Sequence, residues 1–166
     1  MTTQPQREAE DNIFRIAAIA LDEHSVVAHS RPIEQEREVA ISDILHKNFF
    51  RLRDSTGGPY HLKLGVRENR LILDVALEDG VAHGKVMLSL TPFGKVIKDY
   101  FLVCDSYYKA IRTAPPYQIE ALDMGRRTLH DEGSVLLRKR LEDKVELDFD
   151  TSRRLFTLIC VLHLRG

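Results

Sequence analysis

The stretch from Tyr60 to Glu78 constrains the fold more than any other part of the chain. It contains two runs in which apolar and polar side chains alternate, separated by a turn at Glu68-Asn69. An alternation with a period of two is typical of a strand that has one face on a core. The stretch therefore predicts a β-hairpin whose core face carries Leu62, Leu64, Val66, Leu71, Leu73, Val75 and Leu77.

The segment after this hairpin predicts one more strand and then two long helices. Lys85 to Leu90 is the strand, and Thr91-Pro92 is suited to open a helix, with Thr91 as the cap. An apolar stripe at helical spacing continues to Ile111, and Ala114-Pro115-Pro116 ends that helix. A second helix is predicted from about Pro116 to Glu142, with Gly133 as a position where it could bend or break.

The remaining segments predict three more strands and two more helices. The strands are Ile13–Leu21, Phe49–Arg53 and Lys144–Phe149, and the first helix is Pro32–His46. Asp150 could cap a last helix from Thr151 to Leu164, although the apolar run from Leu155 is also compatible with a strand. Strands cluster early and helices late, which predicts an α+β fold, with an antiparallel sheet packed on one face by three to four helices. Residues 1–11 are predicted to be a disordered tail and residues 12–166 a single α+β domain.

The composition narrows the class of partner and the compartment. With 24 basic and 25 acidic side chains, the formal net charge is -1, so binding to nucleic acid is not expected. No apolar stretch is long enough for a membrane span, and the polar amino terminus lacks the pattern of a secretion signal. Cys104 and Cys160 do not form a disulfide framework, which favours a reducing cytoplasm.

The nearest thing to a functional site is a polar trio in the second long helix. On an ideal helix, Asp123, Arg126 and His130 fall within about 60° of one another, beside Ile119 and Leu122. A stripe that faces a core should be apolar, so these charged and titratable groups require an explanation. The spacings of three and four residues allow Asp123 to pair with Arg126 and with Arg127, and Arg126 to reach His130.

Two kinds of explanation remain open for the trio. The simpler one, which we favour for the trio taken alone, is a partly buried network that joins the helix to the rest of the core. The functional one is a site in which Arg126 and Arg127 hold a carboxylate or phosphate. In an enzyme, His130 would then act as the acid or base, with Asp123 orienting it.

Other candidate groups are assigned structural roles. The chain has no metal-binding pattern and no cofactor loop, so neither a metal nor a cofactor is expected. The loop Ser55-Thr56-Gly57-Gly58 lacks the ending of a nucleotide-binding loop and predicts a turn. The two cysteines lie in apolar stretches and predict inert core thiols. Arg138-Lys139-Arg140 predicts a solvated helix face.

Several strings of the sequence together resemble one protein family. They are Gly57–Tyr60, Lys98–Phe101, Ser106–Arg112, Gln118–Arg127, Leu129-His130, Glu132-Gly133, Asp148–Thr151 and Arg153–His163. This set resembles an alphaproteobacterial family of uncharacterised proteins, number 0262 in the UPF series, over nearly the whole chain after residue 12. The resemblance implies a bacterial cytoplasmic protein and supports a single domain. It transfers no catalytic residue, because the family carries no assigned activity.

The leading functional hypothesis from the sequence is a binding or interaction module. We expect a small anionic ligand or a protein partner to dock at Arg126 and Arg127. The alternative is a small acid/base enzyme that acts on an anionic substrate through His130, Asp123 and Arg126.

Overall fold

In the part of the chain that the structure describes, the strands form a four-stranded sheet and a small two-stranded sheet, and four α-helices pack with them around one core. The computed structural model describes residues 13–22 and 31–163, so the tail predicted at 1–11 lies outside the described residues. In chain order, the elements are β1 (Ile16–Leu21), α1 (Arg31–His46), β2 (Phe50–Leu52), β3 (Tyr60–Arg67), β4 (Arg70–Leu77), β5 (Ala82–Ser89), a 3-10 turn (Thr91–Phe93), α2 (Gly94–Thr113), α3 (Pro116–Leu141), β6 (Val145–Leu147) and α4 (Phe149–His163).

The predicted hairpin is present, with the expected register. β3 and β4 are antiparallel, Leu64 pairs with Leu73, and the two turn residues Glu68 and Asn69 both have positive φ. Two positive φ angles in a two-residue turn match the right-handed twist of the flanking strands. The alternating apolar side chains of β3 and β4 are buried through Val75, as the pattern requires.

The α+β class is confirmed, but the larger sheet is mixed rather than wholly antiparallel. Its strand order is β1-β3-β4-β5, and β1 runs parallel to β3. The chain between these two strands contains α1 and β2, and a crossover of this length with a helix lets the second strand run in the same direction. The antiparallel prediction holds for β3, β4 and β5, which are joined by short turns.

The last apolar segment is a helix, which excludes the strand alternative for its described part. α4 is buried on most sides and packs on α1 and α3. Its first turn is capped by Asp148, whose Oδ1 accepts the backbone N–H of Thr151 at 2.9 Å. The predicted cap, Asp150, instead lies inside the first turn. A helix is favoured for this buried segment because the backbone N–H and C=O groups of a helix form hydrogen bonds with one another.

Two other local predictions are corrected by the structure. Thr91 belongs to the 3-10 turn and does not cap α2, whose N-cap is Phe93 and has no side-chain cap. Gly133 neither breaks nor ends α3, which continues to Leu141. The glycine is buried against α4, so its role is in helix packing.

Asn48 connects the start of β1 to α1 by hydrogen bonds. Its Oδ1 accepts the N–H of Ile16 at 2.7 Å, and its Nδ2 donates to the carbonyls of Ile16 at 3.0 Å and Ile44 at 2.7 Å. We expect Asn48→Ala to lower the free energy of unfolding by about 2 kcal/mol, because three partly buried backbone groups lose their partner. Urea denaturation followed by circular dichroism measures this loss.

A suitable control for Asn48→Ala is Thr128→Ala on α3. Thr128 is exposed, and its hydroxyl donates only to the carbonyl of Met124 in its own helix. Its replacement is expected to change the free energy of unfolding by less than about 0.5 kcal/mol. Equal effects from the two substitutions would show that the Asn48 hydrogen bonds do not stabilise the fold.

Candidate functional site

α3 brings the predicted charged residues together as its periodicity requires. The Nη2 atom of Arg126 lies 2.6 Å from Oδ1 of Asp123, and Nη2 of Arg127 lies 3.0 Å from its Oδ2. Both carboxylate oxygens of Asp123 therefore contact a guanidinium. The side chains of Asp123 and Arg126 are only 22% and 25% exposed, whereas that of Arg127 is 71% exposed. Of the two arginines, Arg126 is therefore the one whose side chain is held in place.

Arg126 is positioned by an aromatic ring as well as by a carboxylate. Its guanidinium carbon lies 4.5 Å from the ring centre of Tyr107 on α2. Arginine stacks well on aromatic faces, and stacking leaves the edge of the guanidinium plane available for hydrogen bonds. Within the described residues, Arg126 makes one hydrogen bond, although a guanidinium carries five N–H donors.

His130 faces the helical interior rather than Asp123. Its ring contacts those of Tyr100 and Phe156, with centre distances of 5.4 and 5.2 Å. Its Nε2 atom is 2.8 Å from the hydroxyl of Thr157 on α4, and its buried Nδ1 has no hydrogen-bond partner among the described residues. Thr157 is thus the hydrogen-bond partner of the His130 imidazole, and the sequence did not predict this contact.

The environment of His130 keeps its imidazole neutral at physiological pH. Burial lowers the pKa of His130 to about 4, and the charges of Arg153 and Arg126 act in the same direction. The carboxylate of Asp131 opposes this shift only in part. A neutral imidazole beside two cations is a weak base, so the acid/base role of the enzyme hypothesis receives little support from this geometry.

A cleft of about 680 Å³ opens beside Arg126, between the four helices. Four arginines and three carboxylates line it, together with two tyrosines, Thr157 and a few apolar side chains. The arginines are Arg112 from α2, Arg126 from α3, and Arg153 and Arg154 from α4; the carboxylates are Glu36, Asp43 and Asp150. Arg127 is not part of this lining, so the structure separates the two arginines that the sequence assigned to one ligand.

Among the described residues, the carboxylates that line the cleft form one ion pair with its arginines, whereas Arg126 and Arg153 pair with carboxylates outside the lining. Tyr108 donates its hydroxyl hydrogen to Glu36 at 2.9 Å, so this carboxylate is bound to a neutral group. Asp43 lies 4.0 Å from Nε of Arg154, at the limit of an ion pair. Nε of Arg153 lies 3.2 Å from Asp131, outside the cleft lining. The cleft is thus lined by guanidinium groups that come from three different helices.

Sequence reasoning missed Arg112, Arg153 and Arg154 as members of this site. The available signal was the pair Arg153-Arg154 in an otherwise apolar helix. An adjacent charged pair in a buried helix is unusual, but its position beside Arg126 depends on how α3 and α4 pack.

Other predicted roles can be compared with their surroundings. Cys104 and Cys160 are buried free thiols, and burial raises the pKa of Cys104 to about 11. Arg138-Lys139-Arg140 is an exposed helix face, on which Arg138 bonds the carbonyl of Leu147.

Within residues 13–22 and 31–163, no three His, Cys, Asp or Glu side chains are grouped as metal ligands. In the same ranges, no helix combines the length and apolarity of a membrane span.

The fold and the cleft define the chain as an α+β protein with an arginine-lined cavity between its helices. Residues 13–165 match the model of the Uncharacterised protein family (UPF0262), and the chain belongs to this family. The resemblance found in the sequence is thereby confirmed.

Relatives from three bacteria illustrate how far the similarity extends, and each is named only as a UPF0262 protein. The relative from Caulobacter vibrioides is 59% identical over 153 residues, which cover 92% of this chain and 94% of the relative. That from Nitrobacter winogradskyi is 52% identical over 95% of this chain and 94% of its own. That from Rhodopseudomonas palustris is 52% identical over 96% and 98%, respectively. No solved structure matches the chain.

Proposed function

We propose that this protein is a binding module for a small anionic ligand, which it holds in the cleft between its four helices. The observation that carries the proposal is the convergence of Arg112, Arg126, Arg153 and Arg154 on one cleft. A cleft of about 680 Å³ is within the usual range of small-molecule sites, and guanidinium groups recognise carboxylates and phosphates by paired hydrogen bonds.

Arg126 is the residue expected to make the main ionic contact. Asp123 and Tyr107 hold its guanidinium from two sides, so little side-chain freedom is lost when an anion binds. Its low exposure also strengthens its interaction with an anion, because water screens the charge less than at an open surface. These two properties distinguish it from Arg127, which shares Asp123 but is exposed.

The alternative hypotheses rest on fewer contacts. In the acid/base enzyme, Asp123 would orient His130, but both oxygens of Asp123 contact arginines and the imidazole bonds Thr157. A protein partner that docks at the same arginines would need an acidic side chain able to enter the cleft. We therefore place the small anion first.

The test of the proposal compares Arg126→Gln with Arg127→Gln. A panel of phosphate, pyrophosphate, citrate and succinate is titrated into each protein by calorimetry. An anion that the wild type binds is expected to bind Arg126→Gln about tenfold more weakly, because a charge-assisted hydrogen bond contributes roughly 1.5 kcal/mol or more. Circular dichroism and thermal unfolding verify that the variant is folded.

Arg127→Gln is the matched control, because it removes a second guanidinium from the same carboxylate without changing the cleft lining. Its affinity is expected to stay within about twofold of the wild type, as is usual for an exposed charge. A loss of less than about 1 kcal/mol in a folded Arg126→Gln variant would contradict the assignment of Arg126 as the ionic contact.

A further inference from the structure

The cleft also contains apolar side chains that a purely ionic ligand would leave uncovered. Val39 on α1 and Ile111 on α2 both line it, although they are 58% and 48% exposed. Ala40 adds a third apolar group. Large apolar side chains that are exposed singly need no explanation, but here two from different helices face the same cleft as four arginines.

One contact across the cleft joins residues that lie close in sequence to Val39 and Ile111. The hydroxyl of Tyr108 donates to Glu36, which fixes this point of α2 beside this point of α1. Val39 lies three residues after Glu36, and Ile111 lies three residues after Tyr108, so each is one turn along its helix on the same face. Val39 and Ile111 therefore each lie one helical turn from a residue of the Glu36–Tyr108 hydrogen bond, and both line the cleft.

The size of the cleft exceeds what a bare anion requires. Its volume of about 680 Å³ leaves space for a body beyond the anionic group. The arginines come from three helices, and a phosphate group presents three oxygens that such an arrangement can hold, whereas a carboxylate presents two. A phosphate joined to an apolar body would use both kinds of surface.

We propose that the ligand class of this cleft is a phosphate monoester with an apolar body, its phosphate held by the arginines and its body packed against Val39 and Ile111. This inference rests on the proposed function, since it assumes that the arginines bind an anion. It adds a specificity: the apolar residues would select an ester over inorganic phosphate, because burial of each methylene group strengthens binding by about fourfold.

The experiment compares inorganic phosphate, butyl phosphate and phenyl phosphate by calorimetry at one pH and ionic strength. The two esters are expected to bind at least about tenfold more tightly than inorganic phosphate. In the double variant Val39→Ser/Ile111→Ser, this advantage is expected to fall to less than about threefold, while the affinity for inorganic phosphate stays within about twofold. Both residues are exposed, so the variant is expected to fold.

Leu102→Ser is the matched control, because Leu102 is 58% exposed on α2 and is not part of the cleft lining. It is expected to retain the full advantage of the esters. If inorganic phosphate binds but the esters bind no more tightly, or if their advantage survives in the double variant, the inference is wrong and the proposed anion site stands. If neither phosphate nor ester binds, and the anion panel is also silent, the proposed function itself fails.

Discussion

Replacement of Gly133 with alanine is expected to lower the free energy of unfolding by about 3 kcal/mol, the upper end of the range for an overpacked core. A Cβ atom at this position would lie 2.1 Å from Cζ of Phe156 and within 2.6 Å of two further atoms of the same ring. Alanine favours a helix over glycine by about 1 kcal/mol, so the steric cost must exceed this gain.

The ring of Phe156 cannot move away from an added methyl group without a wider rearrangement. Phe156 is fully buried, and its ring contacts those of Tyr100 and His130. Next to the glycine, the buried Ser152 on α4 donates a hydrogen bond of 2.6 Å to the carbonyl of Ser134. This bond keeps α3 and α4 close together. The helices therefore cannot separate easily, and the buried ring cannot move away, when a methyl group is added between them.

Gly125→Ala in the same helix is the control for this substitution. A Cβ atom at Gly125 would meet Cγ1 of Val103 at 3.7 Å, an ordinary van der Waals distance. This variant is expected to be as stable as the wild type or more stable by up to about 1 kcal/mol. Urea denaturation of both variants is the measurement, and a Gly133→Ala protein as stable as Gly125→Ala would disprove the close contact of α3 with Phe156.

The second large effect is a loss of stability between pH 6.5 and about 4 that depends on His130. The pKa of this imidazole falls from an ordinary value of 6.5 to about 4 in the folded protein, chiefly because it is buried. As the pH decreases through this range, the unfolded chain takes up a proton that the folded protein does not. The contribution of His130 to stability is complete above pH 6.5 and is lost progressively down to about pH 4, amounting to about 3 kcal/mol.

The measurement is the free energy of unfolding at several pH values for the wild type and for His130→Gln. Glutamine cannot take up a proton, but its amide can still bond the hydroxyl of Thr157. The stability advantage of the wild type over the variant is expected to shrink by about 3 kcal/mol between pH 7 and pH 4. Carboxylates that titrate in this range affect both proteins alike, so the difference isolates the imidazole.

His46→Gln provides the control for the loss of one histidine. His46 is exposed at the end of α1, away from the aromatic contacts that bury His130. Because His46 is exposed, its replacement is expected to change the free energy of unfolding at pH 7 by less than about 0.5 kcal/mol. If the pH curve of His130→Gln runs parallel to that of the wild type, His130 does not have a lowered pKa in the folded protein.

The sequence predicted the elements of this fold well because their signals are local. The alternation in β3 and β4, the apolar stripe of α2 and the ion pairs of Asp123 each depend on residues a few positions apart. Cap residues were predicted less well. Thr91 and Asp150 show that a suitable residue near a boundary does not determine where the first helical turn closes, because the packing of the neighbouring segments shifts that boundary.

The candidate site was predictable only in part. The periodicity of α3 placed Arg126 beside Asp123, which the structure contains as an ion pair of 2.6 Å. It could not predict that Tyr107 would stack on Arg126, or that His130 would bond Thr157 rather than approach Asp123. These contacts join residues on different helices, and their distances are set by the crossing of the helices.

The sequence by itself determined the strands, the helices and the charged face of α3, since backbone geometry relates residues three, four or two positions apart directly to one another. The tertiary structure alone decided that β1 runs parallel to β3, that Gly133 allows Phe156 to approach, and that Arg126 shares a cleft with Arg153 and Arg154. Each of these depends on contacts between residues distant in the chain, which form where buried apolar faces pack most closely.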